Sequence, residues 1–241
     1  MRSVVVTGGG TGIGRAVAAA FAELGDEVVI TGRRADVLDS TAAELGARVR
    51  AVAFDATDPD QVEDALAELP ATVDVLVNSA GGNTSIGAPE AGTLAQIADA
   101  WRANLDANVI SAVLITTALH SRLAAGGTVI NISSIAAHRG GAGSYSAAKA
   151  AVEAWNLTLA EDLGRRQITA NVIAPGFIDG TEFFRGRMTD QRRETLIGQT
   201  ANGRAGVPED IAATAAFLAS PGASHITSQV LHVNGGAVSG R

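Results

Sequence analysis

Short runs of β-branched and apolar residues recur along the chain at 4–7, 27–31, 49–54, 73–77, 128–132, 169–173 and 229–233. Between them lie alanine-rich stretches with helical periodicity, notably 15–24, 36–45, 61–69 and 93–123. The short runs are continuously apolar rather than alternating, which suits strands covered on both faces by helices. Strand–helix alternation of this kind predicts an α/β fold: one doubly wound, Rossmann-type parallel sheet of about seven strands with helices on both faces. Right-handed crossovers would bring the carboxyl ends of the strands to one edge, where ligands bind at the switch point of the strand order. Residues 176–204, with Gly180, Phe183, Phe184, Met188 and Gly203, have the least regular pattern and read as a mobile substrate loop. No repeat or linker interrupts the chain, so residues 1–241 are expected to form a single domain.

Composition narrows the functional classes. Hydrophobic residues make up 46% and glycine contributes 28 positions, enough for a large core and many tight turns. A net charge of −7, with no basic stripe, argues against a nucleic-acid partner. Cysteine is absent, which rules out disulfides and thiolate metal sites and fits a reducing cytoplasm. The four histidines do not cluster with carboxylates, so no metal site is expected. The first strand-like run begins at Val4, which leaves no room for a signal peptide, and no apolar run approaches a membrane span. The expectation is a soluble cytoplasmic protein.

The most specific chemical signal is a pair. The chain has one tyrosine and one lysine, and they stand four apart in Tyr145-Ser146-Ala147-Ala148-Lys149. Every other strong base is an arginine. On a helix this spacing puts both side chains on one face. A phenol ordinarily titrates near 10, too high for ready proton exchange at neutral pH. An ammonium roughly 5 Å away, at an effective dielectric of about 20, would favour the phenolate by about 3 kcal/mol. Partly offset by desolvation, that brings the phenol toward the range useful in general acid–base catalysis.

A second signal follows the first strand: Thr7-Gly8-Gly9-Gly10-Thr11-Gly12-Ile13-Gly14. Glycines there allow a sharp turn and close approach to a pyrophosphate, and the next helix offers its free N–H groups and positive dipole end. Gly8, Gly12 and Gly14 give the spacing G-x-x-x-G-x-G rather than the general G-x-G-x-x-G. At the end of the second strand, where an NAD site usually carries a carboxylate, stand Thr31-Gly32-Arg33-Arg34. Guanidiniums suit a 2′-phosphate, so NADP(H) is preferred over NAD(H), with Arg33 the leading partner and Arg34 beside it.

With these residues in place, the chain resembles the short-chain dehydrogenase/reductase family over essentially its whole length. Thr7-Gly8-x-x-x-Gly12-x-Gly14 looks like the family's cofactor turn, with Thr11 and Ile13 inside it. Asn78-Ser79-Ala80-Gly81 is similar to its Asn-Asn-Ala-Gly signature, with Ser79 in place of the second asparagine. Asn104-Leu105, Ser133-Ser134, Tyr145-x-x-x-Lys149, Pro175-Gly176-Phe177-Ile178 and Val233-Asn234-Gly235-Gly236 follow in the family's order. In pattern the chain is most similar to the bacterial 3-oxoacyl-acyl-carrier-protein reductases.

The resemblance implies a role for each position. Tyr145 donates a proton to the substrate carbonyl in reduction; Lys149 lowers its pKa and holds the nicotinamide ribose. Ser134 holds the carbonyl oxygen, with Ser133 as the alternative, since Ser134 lies only eleven residues before Tyr145. Asn104 anchors a water linking Lys149 to solvent. Asp55 and Ala56 flank the adenine, Asn78, Ala80 and Gly81 steady and line the cleft, and Pro175, Gly176, Ile178 and Thr181 lie near the carboxamide. The implied substrate is a medium-sized ketone, sugar, cyclic ketone or 3-oxoacyl thioester under Phe183, Phe184 and Met188. Arg122, Arg165 and Arg166 lie where a carrier protein would dock. The long helices with Trp101 and Trp155, and the C-terminal segment, resemble the family's homotetramer contacts. His138 reads as a solvent-facing loop residue, and His120, His225 and His232 as structural. Two alternatives remain: a catalytically silent dinucleotide-binding regulator, which would be expected to lack the tyrosine or lysine, and an extended-branch epimerase, for which the chain is short.

Overall fold

In the computed structural model, which describes residues 1–239, seven strands form one sheet in the order β3-β2-β1-β4-β5-β6-β7. The strands are β1 (Ser3–Thr7), β2 (Glu27–Gly32), β3 (Val49–Ala53), β4 (Val73–Asn78), β5 (Leu123–Ile132), β6 (Thr169–Pro175) and β7 (Val230–Val233). Every neighbouring pair is parallel. The helices that connect them are α1 (Gly12–Glu23), α2 (Ala35–Leu45), α3 (Pro59–Ala65), α4 (Leu94–Leu105), α5 (Ser111–Leu119), the single turn α6 (Ala136–Arg139), α7 (Ser144–Gly164), α8 (Asp190–Gly198) and α9 (Pro208–Leu218).

Successive strand residues feed opposite cores, as strand geometry requires. Val4 and Val6, Val28 and Ile30, and Val75 and Val77 pack under α1 and α9 against Phe21, Ile211 and Leu218. Val5, Val29 and Leu76 face the other way, against Ile115 and Leu119 of α5 and Leu163 of α7. Both faces being covered is the reason the runs read as continuously apolar. The chain reverses its direction of winding between β1 and β4, and the ends Thr7 and Asn78 are partners in register there. That is the crevice where such sheets bind ligands.

The long helix expected over 93–123 is divided. It stops being α-helical at Leu105, passes through a π-helical turn at Asp106–Ile110, and resumes as α5, which ends at Leu119. The strand expected at 128–132 begins earlier, at Leu123, with a register shift against β4 between Val73 and Val75. A side chain at Gly127 would meet the Asp74 carbonyl at 2.7 Å, so the irregularity needs glycine there. Helix α3 ends at Ala65 rather than 69, and beyond it Arg122 donates to the carbonyls of Leu66, Leu69 and Pro70 at 2.8, 3.1 and 3.3 Å. Among the described residues no helix is long and apolar enough to cross a membrane.

Candidate active site

A cleft of about 960 Å³ runs along the carboxyl edge of the sheet, and every catalytic and cofactor residue expected from the sequence lines it except Asn78 and Asn104. Its first end is the glycine turn. Gly8 and Gly12 have φ of +67° and +52°, which side-chain-bearing residues rarely adopt. A side chain at Gly8 would also lie 2.9 Å from the Ala80 backbone. Thr7 Oγ1 closes the same junction by accepting from the N–H groups of Ser79 and Ala80 at 3.1 and 3.0 Å. Helix α1 then starts with no side-chain cap and no acid in its first turn, whereas α3, α4 and α8 are capped by Asp58, Thr93 and Thr189. An uncapped, positively polarised helix start opening into the cleft fits a pyrophosphate.

Arg33 and Arg34 sit at the outer end of the cleft, both exposed. Neither stands alone. Arg33 Nη1 lies 4.0 Å from Asp55 Oδ2, and Arg34 Nη2 lies 2.9 Å from Glu182 Oε2. Asp55 is further held by the Thr57 N–H and hydroxyl at 2.9 and 2.8 Å, so its carboxylate is partly engaged before any adenine arrives.

The other end is built by α7. Its first turn is entered through Gly140, Gly141 and Gly143, all at positive φ, and the turn α6 shortens the path from Ser134 to Tyr145. Tyr145 and Lys149 are 5% and 4% exposed, and Lys149 Nζ lies 5.8 Å from the centre of the Tyr145 ring. Lys149 Nζ donates to the Ile132 carbonyl at 2.8 Å. Burial works against the expected lowering of the phenol pKa. Burial pushes the Tyr145 phenol up to about 12, opposed only by a hydrogen bond with Ser134, and burial brings the Lys149 ammonium down to about 8. In each case burial penalises the charged form, which raises the phenol and lowers the ammonium.

The two serines separate. Ser133 is buried, and its hydroxyl is engaged by Glu153 Oε1 at 2.6 Å and the Lys149 carbonyl at 3.1 Å. Ser134 lines the cleft, its Oγ accepts from the Ala136 N–H at 3.2 Å, and it acts on the Tyr145 phenol, so it is the serine at the reacting end.

Asn104 differs from expectation, and Asn78 steadies the central strands as expected but does not line the cleft. Asn104 is fully buried and binds the Thr84 N–H, Ser85 Oγ and Ser144 Oγ at 3.1, 3.2 and 2.9 Å; its amide is directed at the loop above the cleft and not at Lys149. One turn on, Asn108 in the π-helical turn grips the Gly82 backbone with both amide atoms, at 2.9 and 3.0 Å, and donates to the Asn104 carbonyl at 2.8 Å. Asn108 is the residue sequence reading missed. Four-residue spacing puts both asparagines on one helix face, and only contact with Gly81-Gly82 distinguishes them. Asn78 faces away from the cleft into a buried amide ladder: it donates to Thr116 Oγ1 and Asn131 Oδ1 at 2.9 and 2.8 Å. Asn131 donates to Asn156 at 3.0 Å, and Asn156 to the Ala170 carbonyl at 3.1 Å. The ladder ties β4, β5, α7 and β6 together behind Tyr145 and Lys149.

The substrate loop covers the cleft. Phe183 packs on Tyr145 with ring centres 5.7 Å apart, Phe184 lies 5.0 Å from Phe183, and Thr181 lies against Gly12. Met188 does not line the cleft, contrary to expectation. His138 is not merely solvent-facing. Its Nε2 lies 2.8 Å from Glu153 Oε2 and its ring 4.4 Å from that of His232, whose pKa is lowered by burial and then by His138. The arginines expected to receive a carrier protein are largely engaged: Arg122 holds the end of α3, and Arg166 donates to the carbonyls of His120, at 2.8 Å, and Leu123.

A doubly wound parallel sheet with a glycine cradle at its switch point and a buried tyrosine–lysine–serine group beyond it defines a dinucleotide-dependent class of protein. A family model described as enoyl-(acyl carrier protein) reductase matches residues 8–238. The chain is 37% identical over 247 residues to the 3-oxoacyl-(acyl-carrier-protein) reductase of Chlamydia trachomatis, covering 98% of this chain and 96% of that relative. Its likeness to the corresponding Salmonella typhimurium reductase is 35% over 240 residues, covering 96% and 95%. A short-chain dehydrogenase/reductase from Brucella melitensis, described as glucose/ribitol dehydrogenase, has a TM-score of 0.88 at 31% identity, covering 99% of this chain and 97% of that one. A blue fluorescent protein from a metagenomic library, solved with NADPH, has a TM-score of 0.86 at 33% identity, covering 99% and 98%. The chain belongs to the short-chain dehydrogenase/reductase family, and it is an oxidoreductase.

Proposed function

We propose that the protein is an NADP(H)-dependent ketoreductase acting on a medium-sized ketone or a 3-oxoacyl thioester not bound to a carrier. One observation carries this reading: Tyr145, Ser134 and Lys149 line the same cleft as the uncapped start of α1. The nicotinamide, when bound, supplies or accepts the hydride. The chain supplies the rest. Gly12, Ile13 and Gly14 receive the pyrophosphate, Arg33 and Arg34 the 2′-phosphate, and Asp55 and Ala56 the adenine. Ser134 and Tyr145 converge on the substrate oxygen, and Tyr145 moves a proton at Oη. At neutral pH the Tyr145 phenol is protonated and holds the proton that a carbonyl oxygen takes during reduction; burial makes it a weaker acid, so the bound substrate, dinucleotide and Lys149 must stabilise the anion. Lys149 steadies the anion left behind and the ribose. Phe183 and Phe184 exclude water.

Arg122 and Arg166 are held by backbone carbonyls, which restricts their reach toward a carrier and supports a free substrate. Homotetramer assembly is supported by exposed Leu94, Ile97, Trp101 and Ile110 around α4 and Leu157 on α7. The cysteine-free sequence fits work in a reducing cytoplasm. The deciding experiment is turnover of a panel of ketones, sugars, cyclic ketones and 3-oxoacyl thioesters with NADPH and NADH side by side. Reduction of at least one ketone with NADPH is expected. Tight dinucleotide binding without turnover of any carbonyl would leave a silent binder instead.

A further inference from the structure

The arginine pair at the outer end of the cleft is already neutralised by carboxylates, and the two carboxylates differ in kind. Asp55 belongs to the fixed end of β3 and is anchored by Thr57. Glu182 comes from the substrate loop, 148 positions along the chain from Arg34, and its carboxylate makes no other hydrogen bond among the described residues. It opens a one-turn 3₁₀ segment, Glu182–Phe184, between Gly180 at φ +69° and Arg185 at φ +51°. The residue before it, Thr181, lies on Gly12, and the residue after it, Phe183, lies on Tyr145. This strap therefore crosses the whole cleft, and the Arg34–Glu182 pair latches it at the adenosine end.

A 2′-phosphate brings roughly two negative charges into a group of two guanidiniums and two carboxylates. It can gain Arg34 only by displacing Glu182, because a second anion at the same fork meets the carboxylate it would replace. From the Arg34–Glu182 ion pair across the cleft, we infer that Glu182 is a cofactor-selectivity residue that competes with the 2′-phosphate for Arg34. The inference rests on the proposed dinucleotide site. Its consequence is that NAD(H) leaves the latch closed, whereas NADP(H) binds against it.

The test is isothermal titration calorimetry of NADP⁺ and NAD⁺ into the full chain, as wild type, Glu182→Gln, Arg34→Gln and the double variant. Both side chains are more than half exposed, so all four proteins are expected to fold. Glu182→Gln should tighten NADP⁺ up to about fivefold, the worth of the exposed Arg34–Glu182 ion pair that the phosphate no longer has to break. NAD⁺ should change less than about twofold, since it lacks the competing group. In the Arg34→Gln background the same substitution should leave NADP⁺ affinity unaltered. Equal shifts for the two dinucleotides, or an undiminished shift without Arg34, overturns the latch while leaving the dinucleotide site intact. Failure of wild type to bind either dinucleotide overturns the proposed function and the latch with it.

Discussion

Tyr145 and Lys149 show how burial reorders a pair that spacing alone makes look activated. Through water the ammonium would draw the phenol down; in the interior both groups are desolvated, the phenol rises to about 12 and the ammonium falls to about 8. Tyr145→Phe should lower ketone turnover by at least about 100-fold, the lower range for loss of a general acid–base group, with NADP⁺ affinity retained. Near-normal turnover of the purified variant would remove Tyr145 from the chemistry. Because the phenol stays protonated well above neutrality, ketone reduction should vary little between pH 6 and 8, while alcohol oxidation should accelerate as pH rises from 7 to 10. An oxidation rate independent of pH over that interval would contradict the assignment. Lys149 also leaves a signature in stability. Its folded pKa lies below the unfolded value, so the unfolded chain binds more protons between about pH 8 and 10, and stability should rise there by up to about 3 kcal/mol. Tyr145, with its raised folded pKa, begins to cost stability only above about pH 10. Chemical denaturation across this range should show the Lys149 rise in wild type and lose it in Lys149→Met; parallel profiles would refute it.

At the scale of elements, the break between α4 and α5 positions the cleft wall. A π-helical turn inserts one residue into the ladder and turns Asn108 toward Gly82, while Asn104 stays with Ser85 and Ser144. Asn108→Ala would remove the side-chain bonds to the Gly82 N–H and carbonyl and to the Asn104 carbonyl, at a cost of about 2–4 kcal/mol in stability. It should also weaken dinucleotide binding, because Gly81 and Gly82 line the cleft. Asn104→Ala should spare dinucleotide affinity by comparison. Calorimetry on both variants distinguishes them, and the reverse ranking would assign Asn104 the larger role.

At the scale of the molecule, the two cores close around the sheet, yet Leu94, at 86% exposed, and Leu157, at 56%, remain in solvent with Ile97, Trp101 and Ile110. Apolar residues concentrated on neighbouring helices call for a partner surface, and a symmetric copy of the same helices supplies one. Wild type is expected to run as an oligomer in size-exclusion chromatography with light scattering. A Trp101→Glu, Leu157→Glu double variant should run as a smaller species with its sheet signal in circular dichroism retained. A wild-type monomer would show these side chains to be simply exposed.

Fold class, the strand series, the glycine turn and the Tyr145–Lys149 pair were legible from residues alone because each is a local signal: apolar runs of strand length, glycines at fixed offsets, two rare side chains at helical spacing. Long-range contacts decided the rest. Ser133 and Ser134 are adjacent and chemically identical, and Glu153 on α7 engages one while the other lines the cleft with Tyr145. Asn104 and Asn108 share a helix face until the turn after β4 selects between them. Arg34 and Arg122 are ordinary surface cations in the sequence; in the fold one latches the substrate loop and the other donates to the carbonyls beyond α3. The sign of the pKa shifts belongs here too, since periodicity predicts which residues meet but not how completely water leaves them. What the chain determined by itself was which groups are present and on which edge of the sheet they gather. Which of them face the cleft, and in what state of charge, follows from burial and from partners far apart in sequence.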